Sequence, residues 1–527
     1  MTTEKSRRRL PVGIQSFEKI RKEGYLYVDK TDIVWNLANN GSTYNYLSRP
    51  RRFGKSLLVD TLQAYFEGKR ELFDGLRVME MEKEWVRRPV IRLDMSRAGA
   101  TAEEICSYLN RAFGRYEKKY GVKSEPGDTL ANRFDGIIEA AFEQTGQQVA
   151  ILVDEYDSPL LHSWKTPHHE ECTAVYRKVF AILKADDEYE KFVLITGITK
   201  FTQISLFSVL NNLTNISFFP QYAALCGITK QEITDNFMPE IEAMGKACGW
   251  TPDETAARLK DNYDGYHFSA DNMVDVFNPF SLVNALDERK IKNYWASSGA
   301  TSMLSKFVDN MEIRLKDFEH CALLSAVIET SDVTGGGAEL FLYQSGYLTI
   351  KGCSDAVYFL GLPNQEVRQT LNEIVLPDLA MRDSGDIQST EAFLRESLVN
   401  GNLSEAKKCL KALIADVPYS NKKLASMDME ERYRLIIGTI FNAIGFRVDV
   451  EKMISTGRID MVVYTRSVIY VLELKLTNNG GLGAAERQIK ANRYTLPFMA
   501  DRRKVVALAV ELDDSGNGLV DWKEVTE

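Results

Sequence analysis

Between Tyr44 and Thr199 the chain alternates short apolar runs with stretches of helical periodicity. Thr43-Tyr44-Asn45-Tyr46-Leu47 and Lys191-Phe192-Val193-Leu194-Ile195-Thr196-Gly197 read as strands, and Ser56 to Phe66 as a helix. Val149-Ala150-Ile151-Leu152-Val153-Asp154-Glu155 is a continuous apolar strand ending in two acids. Continuous apolar sequence, unlike strict alternation, predicts strands covered on both faces, so this region is expected to be an α/β core with a parallel sheet. From Ile228 the pattern turns helical. Thr229 stands at an N-cap position, and the periodicity runs through Ala256-Ala257-Arg258-Leu259 to the turn Tyr263-Asp264-Gly265-Tyr266. A middle stretch mixes helices with two expected short strands, Leu340-Phe341-Leu342-Tyr343 and Tyr347-Leu348-Thr349-Ile350, around Gly335-Gly336-Gly337. Ser404 to Ile414 and Glu430 to Ala443 read as helices, Arg447 to Val450 as a strand, and Pro418-Tyr419-Ser420-Asn421 as a linker.

The last segment concentrates chemistry. Gly457-Arg458-Ile459-Asp460 is followed, after a turn near Arg466, by the apolar run Val468-Ile469-Tyr470-Val471-Leu472, which ends in Glu473-Leu474-Lys475. Strand alternation puts Glu473 and Lys475 on one face, and a hairpin brings Asp460 across from Leu472 or Glu473. An exposed, salt-bridged hairpin would alternate with polar residues; this run does not. Charges at the end of a strand buried on both faces are expected to be paired or to bind metal. Two carboxylates and an ammonium together can hold Mg²⁺ and orient or activate a water for in-line attack on a phosphodiester.

Near the other end, Ser48-Arg49-Pro50-Arg51-Arg52-Phe53-Gly54-Lys55 joins a strand to a helix, the context of a phosphate-binding loop. Lys55 is placed to reach terminal phosphates and the Ser56 hydroxyl to ligate Mg²⁺, although Arg49 stands where the usual motif has its first glycine. The acid-ended strand supplies the matching half of such a site. Asp154 would hold Mg²⁺ and Glu155 would polarise the attacking water. Thr196, at the end of its own strand, stands where related ATPases place a polar γ-phosphate sensor.

These residues carry two resemblances. Asp460, Glu473 and Lys475 resemble the PD-(D/E)XK nuclease superfamily, and the resemblance extends to the helix bearing Glu431 and to Ala484-Ala485-Glu486-Arg487-Gln488-Ile489 with Tyr494. It implies Asp460 and Glu473 as metal ligands, Lys475 as support for the nucleophile, Glu431 as an assisting acid and further metal ligand with Glu430 as its alternative, and Gln488 as a positioning residue. The first half resembles the AAA-ATPase-like family of bacterial proteins that carry such a nuclease domain. The segments concerned are Tyr27-Val28-Asp29-Lys30-Thr31, the Leu47 to Ser56 loop, Asp154-Glu155-Tyr156-Asp157, Thr196-Gly197-Ile198-Thr199-Lys200, Tyr263-Asp264-Gly265-Tyr266, Asn278-Pro279-Phe280-Ser281 and Tyr294-Trp295. The resemblance makes the glycine-poor loop a family trait and implies ATP binding through Arg52, Gly54, Lys55, Ser56, Asp154 and Thr196. It also implies ATP-dependent action on nucleic acid, in mobile-element biology or in defence against foreign DNA.

The expected architecture is α/β: a P-loop ATPase core (1–225), a helical lid (226–293), a mixed connector of winged-helix-like element order (294–417) and a restriction-endonuclease-like α/β domain (418–527). A chain of 527 residues accommodates this, at about 150 residues per domain. The aromatic stretch Asn262 to Phe268 is read as a plug of the lid against the core. Seven scattered cysteines point to reduced thiols rather than zinc fingers. The polar, basic start and the lack of any apolar run near ~20 residues argue against a secretory signal and a membrane span, so the expected location is the cytoplasm. A net charge of −9 excludes a broadly basic nucleic-acid surface. Any nucleic-acid footprint, with DNA the first expectation, must then be local; of Arg7-Arg8-Arg9, Arg87-Arg88 and Arg502-Arg503-Lys504, the first two read as solvated charge and the third is the leading candidate. Arginine-finger candidates are Arg51, Arg52 and Arg177, and a finger from a neighbouring subunit leaves a homo-oligomer open. The alternative to an ATP-regulated nuclease is an NTP-driven switch whose nuclease-like domain only binds a partner.

Overall fold

The computed structural model describes residues 8–125, 127–184, 187–199, 213–295, 321–330, 337–371, 384–415, 428–515 and 518–526. The expected linker Pro418-Tyr419-Ser420-Asn421, Gly335, Gly336 and Lys200 lie outside these residues. The chain forms two compact units, 1–294 with 320–363, and 295–319 with 364–527.

The first unit is built on a sheet of β1 (Tyr44–Ser48), β2 (Val90–Asp94), β3 (Val149–Asp154), β4 (Glu190–Gly197) and β5 (Thr214–Asn215), all parallel, in the order β2-β3-β4-β1-β5. All six residues of β3 are buried, as its continuous apolar sequence requires. The helices Lys55–Phe66 and Leu130–Thr145 pack on it. Helix ends follow local chemistry: Thr101 and Glu104 form a capping box, and Gly121 and Gly146 end helices in the left-handed conformation.

The segment expected as the lid holds a short ladder of β6 (Ile228–Thr229) with β7 (Val276–Phe277), and the helices Lys230–Asn236, Met238–Cys248, Pro252–Tyr263 and Pro279–Glu288 around one apolar cluster. Thr229 caps its helix through a capping box with Glu232. Tyr266 and Phe268 are buried edge-on against Phe53, with ring centroids 4.8 Å and 5.2 Å away, so the aromatic turn packs on the phosphate-type loop.

The expected connector over 294–417 is not a unit of its own. Its strands β8 (Cys321–Leu324), β9 (Thr349–Ser354) and β10 (Val357–Gly361) form an antiparallel sheet within the first unit. The Thr349 hydroxyl accepts from His267 N (2.8 Å) and donates to His267 O (3.1 Å), and Lys351 reaches Gly265 O (3.3 Å), which ties this sheet to the lid turn. Leu340-Phe341-Leu342-Tyr343, expected as a strand, lies inside the helix Gly337–Ser345. Leu340, Phe341 and Leu342 are all buried, and a short apolar run fits a buried helix as well as a buried strand.

The second unit centres on β11 (Arg447–Ile454), β12 (Gly457–Tyr464), β13 (Val468–Leu476), β14 (Lys504–Leu512) and β15 (Leu519–Val525), in that order. All pairs are antiparallel except β13 with β14. Tyr470, Leu472 and Leu474 pack with Ile436, Ile437 and Ile440 of the helix Met429–Ala443. Ile469 and Val471 pack with Ala485 and Ile489 of the helix Gly481–Asn492. The central strand is therefore covered on both faces, which is why its sequence is almost unbroken apolar.

Candidate nucleotide and nuclease sites

In the first unit β1 runs into the loop Arg49 to Gly54, and Gly54 sits at the helix N-cap with φ +90°. That conformation strains any residue with a Cβ, which explains the single glycine retained here. Arg52 also adopts a left-handed conformation, φ +69°, with its guanidinium 4.6 Å from the Phe280 ring centre. Arg49, in the place of the usual first glycine, is buried. It donates to Ser217 O (2.8 Å) and Tyr222 O (3.0 Å) and lies over Phe268, so it braces the loop from behind. Lys55 is buried, and its ammonium donates to Arg49 O (2.8 Å) and Pro50 O (3.0 Å) inside the loop. Burial pushes the Lys55 pKa down against the pull of Glu155, Asp157 and Asp154. Ser56 follows, half-buried in the first helical turn.

β4 lies between β1 and β3, so Thr196 at its end stands between the loop and the acids. Thr196 Oγ1 donates to Asp154 Oδ1 at 2.6 Å, and the same oxygen accepts from Glu155 N at 3.1 Å. Glu155 has φ +48°, a left-handed conformation that is costly for a residue with a Cβ. Burial raises its carboxyl pKa, opposed by Lys55. Asp157 follows two residues after Glu155 in the turn beyond β3. It is buried and accepts from Ile198 N (2.8 Å), Thr199 N (2.6 Å) and Thr199 Oγ1 (2.8 Å), fastening the β3 turn to the β4 end. A Cβ on Gly197 would come within 2.8 Å of the Tyr156 ring and 2.9 Å of Asp157 Oδ1, so glycine there permits the close approach.

In the second unit the register Met461↔Leu472 brings the next pair, Asp460 and Glu473, side by side. Leu474 N donates to Asp460 Oδ2 at 2.9 Å, and Lys475 Nζ donates to Glu473 Oε1 at 2.8 Å. Glu473 is 1% exposed, and its Oε2 has no hydrogen-bond partner. Burial, then the charge of Asp460, pushes the Glu473 carboxyl up, against the opposing pull of Lys475. A buried, unpartnered carboxylate oxygen beside a second carboxylate fits a divalent cation. Among the described residues no three His, Cys, Asp or Glu side chains form a ready-made metal cage. Asp460 and Glu473 would therefore hold Mg²⁺ with water completing the shell, as this reluctantly dehydrating ion favours.

Of the two helix acids left open by the sequence, Glu430 reaches this cluster: its Oε1 lies 3.2 Å from Arg434 and 4.0 Å from Lys475 Nζ. Glu431, expected as a ligand, sits one residue on, about 100° around the helix, with its N–H bonded to Asp428 Oδ1 at the cap (2.9 Å). Gln488 donates to the Tyr494 hydroxyl (3.0 Å), which donates to Arg458 O (2.7 Å), so it braces the strand that carries Asp460. Sequence reasoning missed Arg434 and Glu451, which are joined at 2.9 Å. The four-residue spacing from Glu430 to Arg434 was the available signal. Arg503, in the expected basic footprint, pairs with Asp501 at 2.7 Å.

Residues 11–207 match a family described as "Predicted AAA-ATPase", and residues 428–522 match the PD-(D/E)XK nuclease superfamily. An "Uncharacterized protein in vnfD 5'region" of Azotobacter chroococcum mcd 1 is 32% identical over 532 residues, covering 98% of each chain. The solved structure of Cdc6p from Pyrobaculum aerophilum aligns with 71% of this chain and 95% of its own at 12% identity, with a TM-score of 0.25 that carries no weight. The chain belongs to the AAA-ATPase-like family and carries a PD-(D/E)XK nuclease superfamily domain over residues 428–522.

Proposed function

We propose that this protein is an ATP-binding and ATP-hydrolysing nuclease that cuts nucleic-acid phosphodiesters with a divalent cation held by Asp460 and Glu473. The observation that carries this reading is the unpartnered Oε2 of buried Glu473 beside Asp460, with Lys475 2.8 Å from the same carboxylate. A bound Mg²⁺ would supply Lewis acidity and a bound water of lowered pKa. Burial depresses the Lys475 pKa, but the hydrogen bond and charge of Glu473 outweigh it and raise the net value. Beside Glu473, Lys475 is placed to orient or activate the water and to balance phosphate charge. Gln488 and Tyr494 hold the strand carrying Asp460 in place.

At the other site Lys55 would exchange its loop carbonyls for phosphate oxygens, Ser56 and Asp154 would hold the nucleotide's Mg²⁺, Glu155 would polarise the attacking water and Thr196 would contact the γ-phosphate. Nucleotide state then governs cleavage. The substrate is DNA and the setting is cytoplasmic, in mobile-element biology or defence. Among the described residues no helix is long and apolar enough to cross a membrane. The test is Mg²⁺- or Mn²⁺-dependent cleavage of a mixed DNA and RNA panel, with and without ATP, by wild type, Asp460→Ala and Lys55→Ala. Cleavage lost in Asp460→Ala and altered by ATP only when Lys55 is intact supports the reading; cleavage indifferent to Asp460 refutes it.

A further inference from the structure

Four carboxylates from four elements meet at one end of the second sheet: Glu430 from the helix Met429–Ala443, Glu451 from β11, Asp460 from β12 and Glu473 from β13. Such a group repels itself when removed from water, and a member left uncompensated destabilises the fold. Arg434 meets three of the four. Its guanidinium lies 2.9 Å from Glu451, 3.2 Å from Glu430 and 3.3 Å from Asp460, with 11% of the side chain exposed. A planar guanidinium presents five donors in fixed directions, which holds these acids in a defined arrangement where a lysine's compact, rotatable ammonium would not. Glu451 takes up φ +53° at this point, and its carboxylate also accepts Arg458 at 3.1 Å. Left-handed backbone at an acid inside a strand marks a chain bent to fit the cluster. The fourth acid, Glu473, pairs with Lys475 through one oxygen and leaves the other unpartnered.

We propose that Arg434 is a resident counter-cation: it holds this acid cluster together in the metal-free protein and gives up Asp460 to a divalent cation that binds between Asp460 and Glu473. The inference rests on the metal-site reading of that pair. Arg434 keeps Glu430 and Glu451 through the exchange, so no acid is left unbalanced. The arginine and the cation compete for Asp460, and by linkage each weakens the hold of the other. The wild-type chain thereby folds without metal, at the expense of metal affinity.

The experiment uses the full-length chain and needs no cleavage readout. Thermal unfolding in EDTA and in Mg²⁺, and Mn²⁺ binding by calorimetry, are measured for wild type, Arg434→Gln, Arg434→Lys, Glu473→Gln and the Arg434→Gln/Glu473→Gln pair. Arg434→Gln is expected to melt several degrees lower in EDTA, to recover more in Mg²⁺ than wild type gains, and to bind Mn²⁺ about tenfold more tightly. The recovery vanishes in the double variant. Should Arg434→Gln not fold without metal, Arg434→Lys, which keeps one charge and loses the fork, is expected to show the same larger metal response. A loss of stability that Mg²⁺ leaves unrepaired, with Mn²⁺ affinity unchanged or weaker, overturns the exchange while leaving the metal site standing. If wild type itself shows no Mg²⁺ or Mn²⁺ response dependent on Glu473, the metal-site reading fails and takes this inference with it.

Discussion

Thr196 Oγ1 donates a 2.6 Å hydrogen bond to Asp154 Oδ1, both side chains being buried at the ends of adjacent strands. The bond fixes one carboxylate oxygen of the residue assigned to Mg²⁺ and leaves the threonine at the edge of the nucleotide loop. Thr196→Val keeps the shape and removes the donor, at a cost of about 1–2 kcal/mol. The expected outcome is retained nucleotide binding with ATP turnover down roughly tenfold. A steady-state ATPase assay beside nucleotide binding separates the two, and equal loss of both would make Thr196 merely structural.

Glu155 combines φ +48° with a carboxyl whose pKa burial has raised. A left-handed position is occupied by glycine without steric cost, while glycine costs about 0.5–1 kcal/mol in chain entropy. Glu155→Gly is therefore expected to change stability by less than about 1 kcal/mol while ending hydrolysis. Glu155→Gln should bind ATP and hydrolyse it slowly, whereas Lys55→Ala should not bind. Chemical denaturation and radiolabelled ATP binding report these outcomes, and unchanged turnover in Glu155→Gln removes it from the mechanism.

Asp264, in the lid turn, is buried, and its carboxyl is pushed up to about 6 by that burial and then by the charge of Asp275, against Gly265 N–H, Lys260 and Lys351. A carboxyl whose folded pKa lies above its unfolded value favours the fold while protonated. Stability from this group is thus full below about pH 4 and falls as pH rises to about 6, by roughly 3 kcal/mol. Asp264→Asn removes this dependence. The melting temperature of Asp264→Asn relative to wild type should rise between pH 4 and pH 7, and a difference constant with pH would contradict the argument.

Much of this was readable because burial on both faces leaves a mark in sequence. The unbroken apolar runs of β3 and β13 mark strands covered on both faces, and strand alternation puts Asp460 opposite Leu472 or Glu473, of which the register selects Glu473. Residues whose meaning depends on distant partners were not readable. Arg434 looks like one half of a surface helix pair with Glu430, and only the fold brings Glu451 and Asp460 to it. Asp157 likewise gains its role from Thr199, two residues beyond the end of β4. Leu340-Phe341-Leu342-Tyr343 reads as a strand but lies within the helix Gly337–Ser345, because three successive buried apolar residues carry neither period.

The central claim is that Asp460, Glu473 and Lys475 cut phosphodiesters with a divalent cation. The most direct measurement is Mn²⁺-dependent cleavage of labelled DNA by wild type and Lys475→Ala, each checked for an unchanged melting transition. Lys475 is 18% exposed, and its loss leaves Glu473 as a buried carboxylate that the cation can still balance, so the variant should fold and bind Mn²⁺. The account predicts cleavage by wild type and a loss of about 100-fold or more in the folded variant. Cleavage that persists at the wild-type rate in folded Lys475→Ala would place the chemistry elsewhere.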